Sequence, residues 1–173
     1  MAIPTKTAIE IQQVVTEVQY PHDVFGHYSR NEPEKFATVL GDTASIKAFW
    51  DKQSLDDPRM YKHPLLARPN YRTKCVPCKV HSDGGEMSNS HSCYVISWSS
   101  FCGLGSVMDV QFYYASCVKA FCAKESDHGI DTKHILWRRF AWSMSALLVN
   151  RHPVVNWEAY EQKFWGPPTP ALS

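Results

Sequence analysis

The sequence predicts an α+β fold: a small antiparallel or mixed sheet over about residues 74–121, packed by a long helix over about 132–149 and by an N-terminal helical layer. Three observations carry this expectation. Two runs rich in β-branched and aromatic residues, Lys74–His81 (KCVPCKVH) and Cys93–Trp98 (CYVISW), flank the turn-forming stretch SDGGEMSNS, which is the pattern of a hairpin. From Thr132 to Val149 the apolar residues Leu136, Phe140, Met144, Leu147 and Leu148 recur at helical spacing, with Asp131 or Thr132 as the cap and Pro153 just past the end. Hydrophobic residues make up 44% of the 173, enough for one core without a disulfide framework.

In chain order, Thr7–Glu10 has the capping-box pattern ahead of Ala8, Ile11, Val15 and Val18, which predicts a first helix stopped by Pro21. A second helix is expected over Pro33–Leu40 with Gly41 at its end, and a third over Ala44–Lys52 presenting Ile46, Phe49 and Trp50. Residues 1–53 thus form the helical layer and 54–165 the sheet-plus-helix core of the same domain. The stretch from Ser54 to Asn70 holds Pro58, Pro64 and Pro69 and reads as an ordered connector. The run Asp109–Phe121 fits either period, and its aromatics favour a strand. Trp157, Tyr160 and Phe164 predict a short final helix, and residues 166–173 an irregular tail with three prolines.

A net charge of +1 supplies no global field for nucleic acid or anionic lipid, so a polyanion site has to be local. One local excess exists: Arg59, Lys62, Arg68, Arg72, Lys74 and Lys79 fall in a stretch without a single Asp or Glu. Each could neutralise a phosphate, although a solvated cationic surface has the same composition. The start of the chain has neither the basic end nor the apolar run of a secretory signal, and no window reaches the ~18 apolar residues of a membrane helix, which predicts an intracellular protein. In that compartment the six cysteines are expected as thiols or metal ligands, with Cys117 and Cys122 as small core residues.

The chemistry-bearing segment is Tyr71–Gly105. Asp83, expected at the first bend of the hairpin, is the candidate catalytic acid of a Mg²⁺- or Mn²⁺-dependent phosphoryl-transfer site, though such sites gather several carboxylates. Asp83-Gly84-Gly85 reads equally as a plain turn. Cys75, Cys78, His81, His91 and Cys93, with Cys102, are the raw material of a Zn²⁺ site, although residues three apart in a strand face opposite ways. The Cys75-Val76-Pro77-Cys78 motif lacks the following helix that thiol redox chemistry uses, and neither Ser99 nor Ser100 sits in a nucleophile-elbow pattern.

The runs HPLLARPNYRTKCVPCKVHSDGGE, Asn89 to Gly105 and LWRRFAWSMSALLVNRHP resemble a highly repeated protein family of dinoflagellates, over about residues 61–157. That family in turn distantly resembles the first part of the RNase-H-like core of transposon-encoded DDE transposases: a strand ending in His-x-Asp-Gly, two further strands, then a Trp-rich helix. The resemblance places Asp83 as the first metal-binding acid, with His81 beside it. It implies a second acid on a strand after the helix, yet beyond Val149 the only acids are Glu158 and Glu161. The expectation is a transposon-derived, truncated RNase-H-like domain without strand-transfer activity that binds nucleic acid weakly. The alternative is a non-catalytic binding domain stabilised by zinc.

Overall fold

A computed structural model of the chain describes residues 2–6, 11–15, 17–88, 91–124 and 131–160, with backbone alone for 2–6, 11–15, 87, 88 and 91. The elements are β1 (Ala2–Lys6), β2 (Ile11–Val15), α1 (Pro21–Asn31), α2 (Pro33–Leu40), α3 (Thr43–Asp51), α4 (Tyr71–Lys74), β3 (Cys78–Ser88), β4 (His91–Ser100), α5 (Val107–Val110), β5 (Gln111–Val118) and α6 (Thr132–Leu148). The class is α+β with a small sheet. Strands β3, β4 and β5 form an antiparallel meander in that order, and β1 and β2 form a separate antiparallel pair.

The N-terminus departs from expectation. Ile11–Val15 is a strand paired with Ala2–Lys6, not the middle of a helix, and Pro21 starts a helix where it was expected to stop one. The physical reasons are local: a β-branched run favours extended backbone, and proline at the first helical position loses no hydrogen bond. The expected capping box at residues 7–10 lies outside the described residues, as do Glu161, Phe164 and the tail 166–173. Helices α2 and α3 lie where their patterns put them, and the Asp42 carboxylate caps α3 by accepting from the Ser45 amide at 2.7 Å.

The sheet begins later and runs longer than its composition suggests. Residues 71–74 are a helical turn, and β3 continues from Cys78 through Asp83, Gly84 and Gly85 to Ser88. Asp83 therefore pairs with Val95 in mid-strand rather than standing at a bend. Neither glycine after it has a positive φ, so the turn reading of Asp83-Gly84-Gly85 is overturned. The Lys119 side chain reaches over Gly84, where a Cβ would displace only its flexible end. The ambiguous run resolves into the turn of α5 followed by strand β5.

Register decides which face of the sheet is covered. Tyr94, Ile96 and Trp98 of β4 point the same way, and Phe112 and Tyr114 of β5 join them. A bulge between Ile96 and Ser97 lets consecutive residues Tyr114 and Ala115 both bury completely. Helix α6 covers this face with Leu136 and Phe140, and the Tyr114 hydroxyl donates to the Leu136 carbonyl at 3.0 Å. Helix α1 covers the rest: Phe25 stacks on Trp98 at 5.6 Å and Tyr28 meets Phe112 at 5.8 Å. The opposite face carries Lys79, His81 and Asp83, all exposed. No helix among the described residues is long and apolar enough to cross a membrane.

Candidate nucleic-acid interface

Asp83 stands on the uncovered face of β3, 74% exposed, with one oxygen accepting from the Gly84 amide at 2.6 Å and the other 3.9 Å from His81 Nε2. No group of three ligand-type side chains gathers around it among the described residues. Glu158 is committed elsewhere, 3.9 Å from the buried guanidinium of Arg139. A single solvated acid cannot clamp both oxygens of a phosphoryl transfer, so this arrangement supplies no two-metal chemistry.

The expected thiol site also comes apart. Cys78 pairs with Ser100 at one end of the hairpin and Cys93 with Gly85 at the other, seven residues along β4, or about 23 Å at ~3.3 Å per residue. Cys75, Cys78, His81 and Cys93 therefore cannot share one ion; the side chain of His91 lies outside the described residues. Burial pushes the Cys78 thiol up to about 12, with the neighbouring Cys102 adding to the effect, and burial also raises Cys75. Both stay protonated at neutral pH, so the Cys-x-x-Cys pair holds no reactive thiolate.

The six cations of the basic stretch divide into two kinds. Arg59 is bound by its neighbour: its guanidinium donates to both Asp57 oxygens and holds that carboxyl at about 2. Arg72 donates to Asp51 at 3.1 Å and to the Trp50 carbonyl at 3.1 Å, tying α4 to α3. Lys62, Arg68, Lys74 and Lys79 form no ion pair with a carboxylate among the described residues. Two of the six charges are thus locally balanced, and the other four have no carboxylate partner among the described residues.

Three of these cations lie over aromatic rings: Lys62 over Tyr61 at 5.0 Å, Arg72 over Tyr71 at 5.3 Å and Lys79 over Phe101 at 5.7 Å. Two of the pairs are ends of one ladder. Phe101 stacks on Phe49 at 5.4 Å, Phe49 meets Trp50 at 5.1 Å, and Trp50 meets Tyr71 at 5.7 Å. The Trp50 indole is fixed by donating to the Cys75 carbonyl at 2.6 Å. A shallow depression beside the ladder is lined by Phe49, Phe101, Leu104 and the exposed Lys52. Phe101 is 56% exposed and Tyr61 71%, so both rings border solvent, each with a lysine that a ligand would have to displace or bind alongside.

The sequence reading placed the cations but not the rings. Phe49 and Trp50 were expected to pack inside a helical layer, whereas both are only half-buried and border solvent. The signal that could have found Tyr61 and Tyr71 is their position directly before Lys62 and Arg72 in the basic run. Phe101 had no such signal, because Lys79 reaches it only through the β3–β4 pairing. No family model matches the chain, and neither a curated protein nor a solved structure matches it.

Proposed function

We propose that the chain is a non-catalytic, transposon-derived RNase-H-like domain that binds single-stranded nucleic acid weakly and without sequence preference. The observation that carries this reading is the ladder Phe101–Phe49–Trp50–Tyr71 with Lys79, which pairs with no carboxylate among the described residues, over its Phe101 end. Single strands are held by cations that neutralise phosphates and by aromatic faces that stack unpaired bases, and a duplex offers no free base face to such rings. The order of β3, β4, β5 and then α6 supports the RNase-H-like descent, as does the outer edge of β3, which pairs with no strand among the described residues.

The reading is tested by fluorescence anisotropy with a labelled oligothymidylate and with a mixed-sequence duplex of equal length, over a range of salt. The single strand is expected to bind more tightly. Its log K should fall with log[salt] at a slope of about −1.5 to −3, as for two to four phosphate contacts at ~0.7 each. Nicking of plasmid DNA in Mg²⁺ or Mn²⁺ should match the buffer blank for both the native chain and Asp83→Ala. Equal or tighter binding of the duplex would remove the single-strand assignment, and metal-dependent nicking abolished by Asp83→Ala would remove the non-catalytic one.

A further inference from the structure

We propose a Zn²⁺ site at His22, Asp23 and His152, formed by the first turn of α1 and the segment after α6, with none of the hairpin cysteines among its ligands. Among the described residues these three side chains are the group of potential ligands that converges, with their donor atoms all within 4.8 Å of one another. Asp23 Oδ1 lies 3.5 Å from His22 Nε2 and 3.2 Å from His152 Nε2. In a tetrahedral zinc site with bonds of about 2.0–2.1 Å, adjacent ligand atoms stand about 3.3–3.4 Å apart, so both separations are those of a tetrahedron's edge.

The surroundings are built for this use. His22 is 94% buried (6% exposed), and its Nδ1 lies 2.8 Å from the hydroxyl of fully buried Ser143 on α6. That contact fixes the ring with Nε2 aimed at Asp23, as an outer hydrogen bond does for a metal-bound imidazole. His152 has the same arrangement: Nδ1 faces the Pro153 carbonyl at 3.3 Å and Nε2 faces the Asp23 carboxylate. Both neighbours of this ring are acceptors only. A neutral imidazole has one N–H and satisfies one of them; an imidazolium, or a metal cation held between Nε2 and the carboxylate, satisfies the whole set. Two imidazoles and a carboxylate suit zinc, not Mg²⁺, which prefers oxygen alone. Three protein ligands leave a fourth position for water.

The bound ion would join the first turn of α1 to the segment after α6, two parts of the chain 129 residues apart. Its role is therefore that of a staple over the aromatic core, independent of the nucleic-acid surface.

The test is a calorimetric titration of the metal-free protein with ZnCl2, beside thermal melts with and without zinc. One Zn²⁺ per chain is expected, with a raised melting temperature and no competition from millimolar Mg²⁺. Asp23 and His152 are exposed, so Asp23→Asn and His152→Ala keep the fold. Each should weaken zinc binding by about 10-fold or more, and together they should abolish it. Ser143→Ala, which removes the orienting contact together with the acceptor of the His22 amide, should weaken it about 10- to 100-fold. Cys75→Ser with Cys78→Ser should leave it unchanged, and Co²⁺ in place of zinc should show no thiolate charge-transfer band. Absence of zinc binding, its survival in the Asp23→Asn/His152→Ala chain, or its loss in the cysteine variant would each overturn the assignment.

Discussion

Replacing Trp98 by alanine is expected to destabilise the chain by about 3–5 kcal/mol, a large part of the total stability of a domain of this size. Trp98 is 1% exposed and lies between two rings, Phe25 at 5.6 Å and Phe112 at 4.6 Å, both nearly parallel to it. Alanine would leave a cavity that α1 and β5 cannot fill together without breaking the Tyr28–Phe112 contact. At about 2–4 °C per kcal/mol, the melting temperature should fall by roughly 6–20 °C. Trp98→Phe is the control. The indole nitrogen has no acceptor among the described residues, so phenylalanine loses ring size but no hydrogen bond and should cost only about 1–2 kcal/mol. A loss below about 1 kcal/mol for alanine would mean that Trp98 does not face the core. The register of β4 would then be inverted, and with it the face that displays Lys79, His81 and Asp83.

Phe101→Ala is expected to lower the affinity for an oligothymidylate by about 10- to 100-fold, since one base stacked on an aromatic ring contributes about 1–3 kcal/mol. The ring is more than half exposed and rests on Phe49, so its removal should change stability by only about 0.5–1 kcal/mol. That separation of binding from folding is what makes the variant informative. Lys79→Ala, by contrast, removes a phosphate contact and should lower the salt slope by about 0.7 with a smaller loss of affinity. If Phe101→Ala binds as the native chain does, the ladder is packing and not a stacking platform.

The parts of the fold that were legible in the sequence are those where one period dominates. In α6 the 3.6-residue recurrence of apolar residues from Leu136 onward has no competing reading, and the Asp131 cap is found where it was placed, accepting from the His134 amide at 2.9 Å. The β3–β4 hairpin was legible for its β-branched runs, but not its extent, because SDGGEMS, residues 82–88, has the composition of a turn and is held extended by pairing with β4. Helix α1 was illegible: Gly26, His27 and Ser29 are weak helix formers, and its formation rests on packing of Val24, Phe25 and Tyr28 against the sheet. Since α1 carries His22 and Asp23, the ligand cluster was hidden with it. Its third member comes from after α6, a proximity that exists only once the helices pack. The cysteines drew attention by their spacing in sequence, yet strand geometry separates them by the length of the hairpin.

Binding of single strands as proposed requires unpaired bases to lie on the aromatic ladder. Ultraviolet crosslinking of a thymine oligonucleotide to the chain, followed by mapping of the modified peptides, reads this directly. Adducts on Phe101, Tyr71 and Tyr61, suppressed by rising salt and unseen with a duplex, are the predicted result. Adducts confined to Tyr113 or other rings away from the basic stretch, or equal crosslinking to duplex and single strand, would contradict it.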